Sequence, residues 1–234
     1  MPALTNHPSY PSRHHAGGFT LAELAVVLVV ITLLAGGLLL PLEARLDEQK
    51  RRSTLGQLHD IEQALTGFAI IHGRLPCASL ESDPASPGYG LESPPPCDDT
   101  VEGRLPWRSL GLEPTDAWGS PRATATAPWT GHWRYRPDGA YSRGDAPIRA
   151  DTVPVSNLQI YDHDDHAITV TSESRAVAVV YSTGPNQRAD GRNASYSSAH
   201  PAYQAGEATA EFDDLLIWLG QPLLIARLAQ AGRL

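Results

Sequence analysis

Hydrophobic positions are spread unevenly along this chain, and the unevenness divides it. Residues 19–42 form an almost unbroken apolar run in which Glu23 is the only strongly polar side chain. The run exceeds the roughly 20 apolar residues that a membrane-spanning helix requires. Beyond it the apolar positions thin to Leu55, Leu58, Ile61, Leu65 and Phe68, spaced by three or four, which is one stripe of an amphipathic helix. One helix reading through to about His72 is therefore expected, roughly 80 Å long at 1.5 Å per residue. Gly36, Gly37 and Pro41 interrupt the pattern, and the missing amide of Pro41 predicts a kink or local melting there.

The pattern then changes. Residues 74–130 are dense in proline, glycine and serine, including Pro94-Pro95-Pro96, and predict a long irregular connection. Strand-like runs follow at residues 132–136, 158–161, 167–171 and 176–181, with short connections that favour antiparallel pairing. The tail reads as helical at residues 212–219 and again at 222–230. Leu215, Leu216, Leu219, Leu223, Leu224 and Leu228 give it an apolar face for docking on the head or on a partner. The expected fold class is α+β: a long N-terminal helix, half membrane-spanning and half amphipathic, packed on a small antiparallel sheet, with a C-terminal helix.

Glu23 needs a reason, because an ionisable group in an apolar helix costs several kcal/mol unless it stays hydrated near the interface or finds a partner. The flanks are not those of a secretory signal peptide. Polar residues 1–17 precede the run, and beyond it Glu43-Ala44-Arg45-Leu46-Asp47-Glu48 reads as continuing helix with no small-residue cleavage site. Gly18-Phe19-Thr20-Leu21-Ala22-Glu23-Leu24, with the apolar stretch 25–40 behind it, resembles the type IV prepilin family, which includes type IV pilins and the pseudopilins of type II secretion. The resemblance implies cleavage between Gly18 and Phe19 by a membrane-embedded prepilin peptidase and N-methylation of the new Phe19 amine. It also implies that Glu23 pairs with the N-terminal ammonium of a neighbouring subunit, in keeping with the cost of leaving one buried charge unpaired. Ala22 departs from the branched apolar residue usual at its position.

On this reading residues 1–18 are a cleaved leader, 19–73 a membrane and spine helix, and 74–234 an exported globular head. The protein would cross the inner membrane once with its head in the periplasm, its partners being other pilins or pseudopilins and the prepilin peptidase. Arginine and lysine counts give a contrary vote, since Arg13 alone precedes the run while Arg45, Lys50, Arg51 and Arg52 follow it. Orientation therefore rests on the cleavage motif. A formal net charge of −8 argues against a nucleic-acid partner.

Cys77 and Cys97 are the only cysteines and have no Cys or His nearby at metal-ligand spacing. In an oxidising compartment a disulfide fits them, worth roughly 3 kcal/mol for a loop of about 20 residues; in a reducing one they would remain thiols. Asp162-His163-Asp164-Asp165-His166 has metal-ligand residue types but sits between strand-like runs, where Asp satisfies turn amides. Trp107, Trp118, Trp129 and Trp133 would suit a carbohydrate surface or, as tryptophans among prolines more often do, the edge of a small core.

The stretch Tyr181-Ser182-Thr183-Gly184-Pro185-Asn186, then Asp190, then Asp213-Asp214 ahead of Trp218, is similar to the loop order of major pseudopilins, where the loop binds calcium. The resemblance makes calcium the candidate cofactor and Asp213 and Asp214 the first candidate ligands, with Asp190 or Asn186 beside them. The inserted segment 193–211 departs from that order. An alternative is that Asp213 and Asp214 serve the positive N-terminus of the helix expected next. No nucleophile elbow, phosphate loop or His-Glu-x-x-His helix is present. A structural, non-enzymatic subunit is expected; the alternatives are a membrane-anchored periplasmic binding module for carbohydrate or calcium and, behind it, an anchored hydrolase.

Overall fold

The computed structural model describes residues 20–97, 101–119, 131–169, 174–197 and 201–234, and gives no side-chain description for residues 35–42. Gly18, Phe19 and Trp129 lie outside the described residues. The chain falls into two units, Met1–Asp47 and Glu48–Leu234. In chain order the elements are α1 (Leu21–His72), β1 (Gly103–Arg104), α2 (Trp107–Leu110), β2 (Arg134–Pro137), α3 (Gly139–Ser142) and β3 (Gln159–Tyr161). They continue with β4 (Ala176–Ser182), α4 (Gly191–Ala194), β5 (Ala202–Gln204), β6 (Leu215–Gly220) and α5 (Gln221–Gln230).

In the first unit α1 presents exposed apolar side chains on all sides from Leu21 to Leu34, Leu21 being 89% exposed. A helix apolar all round has no face of its own to keep wet and suits an apolar surrounding. Among the described residues no helix is long and apolar enough to cross a membrane; the apolar run read from the sequence extends through Phe19 and residues 35–42. The backbone stays helical through Gly36, Gly37 and Pro41. The expected local melting is therefore absent: proline removes one donor, and the turns on either side keep theirs.

In the second unit the 3.6-residue stripe of α1 turns inward from Leu58 to Phe68, while Leu55, expected on the same face, is 46% exposed. Leu58, Ile61, Leu65 and Ala69 are buried in one core with Trp133, Tyr135, Val177, Val180, Leu215, Leu219 and, from α5, Leu224 and Leu228. They cover a four-stranded sheet of order β1-β2-β4-β6, antiparallel throughout. The fold is thus α+β, with an N-terminal helix on a small antiparallel sheet and a C-terminal helix. Every residue of β4 is buried, because both faces of the sheet are covered. Val177 and Val180 face the helices, while Val179 and Tyr181 join a second core with Leu158, Ile160, Tyr203 and Ala205.

That second core corrects two expectations. The run at 158–161 does not enter the antiparallel sheet: β3 pairs in parallel with β5, forming a separate ribbon that covers the back of β4 and β6. Of the run at 167–171, Ala167 bridges Tyr161 and residues from 170 lie outside the described ones. The run at 212–219, read as helix, instead leads into β6, which pairs from Ser182↔Leu215 to Ala176↔Gly220. Leu215, Ile217 and Leu219 pack toward the helices and Leu216 and Trp218 toward the ribbon. A run that is apolar at every position satisfies a period of 2 and of 3.6 equally, and here sheet pairing decided. The second helical run appears as α5.

The irregular connection is held by specific bonds. Cys77 and Cys97 form a disulfide, with Cα atoms 5.2 Å apart. Arg74 donates twice to Glu92, at 2.8 and 2.9 Å, and Glu92 accepts the Cys77 amide at 3.1 Å. Trp107 and Trp133 are buried, and the Arg104 guanidinium, fully buried, lies 4.6 Å from the Tyr89 ring centroid and 5.8 Å from that of Trp107. At the far end of α1, Arg233 donates to the carbonyls of Ile70 (2.6 Å) and Ile71 (2.9 Å), two of the acceptors a helix C-terminus leaves open.

Candidate functional sites at the helix start and in an acidic loop

The first site is the start of α1. The Thr20 amide and hydroxyl both donate to Glu23 Oε2, at 2.8 and 2.9 Å, and the Glu23 amide donates back to Thr20 Oγ1 at 3.2 Å. This reciprocal pairing is a capping box, with Thr20 as N-cap and Glu23 at the third helical position. Within one chain Glu23 is therefore already held by local donors. Reading the sequence for an intersubunit partner overlooked this role, although the Thr-x-x-Glu spacing ahead of an apolar run was its signal.

The second site lies where β4 ends and β6 begins. Ser182 leads into a turn in which Gly184 has φ +58°, and a Cβ there would sit 2.2 Å from Asp213 Oδ1. Only glycine lets the turn close so tightly on Asp213. The chain then brings Asp190 to the start of α4, and the segment after α4 returns through β5 to Asp213 and Asp214. Asp190 Oδ2 accepts from the Asp213 amide (3.0 Å) and from Asn186 Nδ2 (2.9 Å). Asp214 Oδ2 accepts from the Asp190 amide (2.9 Å) and from Asn193 Nδ2 (2.8 Å).

One carboxylate oxygen each from Asp190, Asp213 and Asp214 comes within 4.8 Å of the other two. Asp214 is 1% exposed, and its Oδ1 is buried without a hydrogen-bond partner among the described residues. Burial, with the nearby charges of Asp190 and Asp213, pushes its carboxyl up to about 7, against the pull of the two donors on Oδ2. A carboxylate with one buried, unserved oxygen, set beside two further carboxylates, is the chemistry a hard divalent cation answers, since calcium takes oxygen ligands and supplies the missing charge. The donor set fits.

The structure thus brings Asp190, Asp213 and Asp214 together. Asn186 stands behind Asp190, its Nδ2 on that carboxylate and its Oδ1 accepting the Arg188 amide at 2.6 Å. The helix N-terminus alternative falls, because a strand follows Asp214. The insertion 193–211 does not spread the cluster, since it folds back as β5. Asn193 went unrecognised as a contributor, and no sequence spacing signals it. Asp162 accepts the amides of Asp164 (2.9 Å) and His166 (2.8 Å) in an exposed turn, and Asp162, Asp164 and His166 also come within ligand distance of one another. Trp107 and Trp133 are core residues and Trp118 packs partly buried against the core, so these three form no open aromatic platform.

Residues 13–39 match the family model for the prokaryotic N-terminal methylation motif, the signature of type IV prepilin-like proteins. The chain carries that signature at the position where Glu23 and the apolar start of α1 lie. No curated protein and no solved structure matches the chain. The motif supports a pilin-like or pseudopilin subunit in general and implies membrane anchoring, processing by a prepilin peptidase and assembly with other pilins.

Proposed function

We propose that this protein is a structural, non-enzymatic subunit of a type IV pilus or a type II secretion pseudopilus. It is cut between Gly18 and Phe19, methylated on the Phe19 amine and assembled through its hydrophobic helix. The observation that carries this reading is the methylation motif at residues 13–39, with Glu23 inside an otherwise apolar helix start. The exposed apolar side chains of Leu21 to Leu34 support it, because they need lipid before assembly and a helical bundle after it. The subunit would reside in the inner membrane as a single-pass protein with its head in the periplasm, where an oxidising environment maintains Cys77–Cys97.

The head would in addition hold a calcium ion through Asp190, Asp213 and Asp214, the buried Asp214 Oδ1 being the observation that favours it. The ion supplies positive charge that cancels the repulsion within the cluster; Asp190 and Asp214 are held for it by the amides of Asp213 and Asp190. N-terminal analysis by mass spectrometry of the protein from cells with active prepilin peptidase tests the main reading. A methylated Phe19 terminus is expected, and an uncut chain in the membrane fraction would overturn it.

A further inference from the structure

Asn193 is bonded on every side. Its Oδ1 accepts the Gln204 amide at 2.9 Å, while its Nδ2 donates to the Gln204 carbonyl at 3.1 Å and to Asp214 Oδ2 at 2.8 Å. The side chain thereby imitates one residue of a strand, pairing with both backbone groups of the last residue of β5. The same amide nitrogen holds the Asp214 carboxylate, which stands at the root of β6. Asn193 is 3% exposed, so water does not compete for these bonds.

Its neighbours in α4 reach the same ribbon. The Arg192 amide donates to Gln204 Oε1 at 3.2 Å, the Arg192 guanidinium donates to Asp165 Oδ1 at 2.8 Å and lies 4.2 Å from the Tyr161 ring centroid, and a Cβ on Gly191 would meet Gln204 Oε1 at 2.2 Å. The short helix between Asp190 and the insertion is therefore clamped to β5 and to the turn after β3.

We infer that Asn193 is the positioning residue of the acidic site and that cation binding there is coupled through it to the β3–β5 ribbon. This rests on the calcium reading given above. Asn193 and the Asp190 amide both donate to Asp214 Oδ2, while Oδ1 is buried without a hydrogen-bond partner among the described residues, so the carboxylate keeps one oxygen for an ion. An ion that fixes the Asp214 carboxylate fixes the Asn193 amide, and a fixed amide holds the Gln204 backbone in place. Partners that orient metal ligands in this way typically alter affinity 10- to 100-fold when removed.

The test uses the full chain in detergent micelles with calcium alone as the probe. Calorimetry measures binding, and hydrogen exchange is followed at the Gln204 amide and, as a control in the middle of the four-stranded sheet, at the Ala178 amide of β4, which faces Leu219 of β6. In the unmodified chain, saturating calcium is expected to slow exchange at Gln204 by roughly tenfold or more while leaving Ala178 unchanged. Asn193→Ala is expected to weaken calcium binding about tenfold and to abolish the calcium response at Gln204, with Ala178 still protected. Calcium binding without any change at Gln204 would sink the coupling while leaving the cation reading standing. Calcium affinity in the Asn193→Ala chain equal to that of the unmodified chain would remove the positioning role. Absence of binding in the unmodified chain at millimolar calcium would remove the cation reading and the coupling together.

Discussion

Two buried aspartates show how differently the same side chain is used. Asp138 is fully buried, and its oxygens accept the amides of Ala140 (2.9 Å), Val155 (2.8 Å) and Ser156 (2.7 Å). It caps α3 and pins the following loop, so Asp138→Ala strands three amides; denaturant titration should show a loss of about 3 kcal/mol. Asp214 has donors on one oxygen only. Calcium at about 100 times its Kd would add roughly 2.7 kcal/mol to stability, or about 5–10 °C in melting temperature for a chain of this size. Asp214→Asn should abolish that calcium-dependent rise, and its persistence would move the ion elsewhere. Asp190, Asp213 and Asp214 were singled out in the sequence because their order resembles the calcium loop of major pseudopilins, and the fold brings their carboxylates together. Asn193 was not legible, since its partners are the backbone of Gln204 and a carboxylate beyond the insertion, which only the folded chain brings near.

At the scale of elements, periodicity succeeded where one face is apolar and failed where both are. The α1 stripe from Leu58 to Ala69 has a wet side, so its spacing was diagnostic, and α5 likewise has Leu224 and Leu228 buried against exposed neighbours. In β6 every position from Leu215 to Leu219 is apolar because the β3–β5 ribbon covers the side of the sheet that solvent would otherwise wet. That ribbon is a non-local parallel pairing, and nothing local announces one. The end of α1 depends on the opposite end of the chain through Arg233. Arg233→Ala should leave global melting nearly unchanged while speeding amide exchange in the last turn of α1 a few-fold, as expected for the loss of an exposed terminal cap. Replacing Cys77 and Cys97 by serine releases the loop they close; a stability loss of about 3 kcal/mol is expected in urea titrations, and no loss would show the Arg74–Glu92 pair to hold the loop without it.

For the whole molecule, the question is what Glu23 does alone and what it does in company. Glutamine at the third helical position still completes a capping box but carries no charge. Glu23→Gln should therefore leave the helix start and the head intact while filament incorporation, read by cross-linking or by sheared-fibre fractions, falls sharply. Thr20→Ala should do the reverse, weakening the helix start while keeping the charge. Equal incorporation of Glu23→Gln and unmodified subunits would rule out a charge-dependent role in assembly. The capping box has one further consequence. Since Thr20 already donates to Glu23, a lone subunit leaves no stranded charge at that carboxylate, and on the proposed reading joining a fibre would be an exchange of partners. On the proposed reading, such subunits would wait singly in the lipid as a stock for assembly and return to it when a fibre is taken apart.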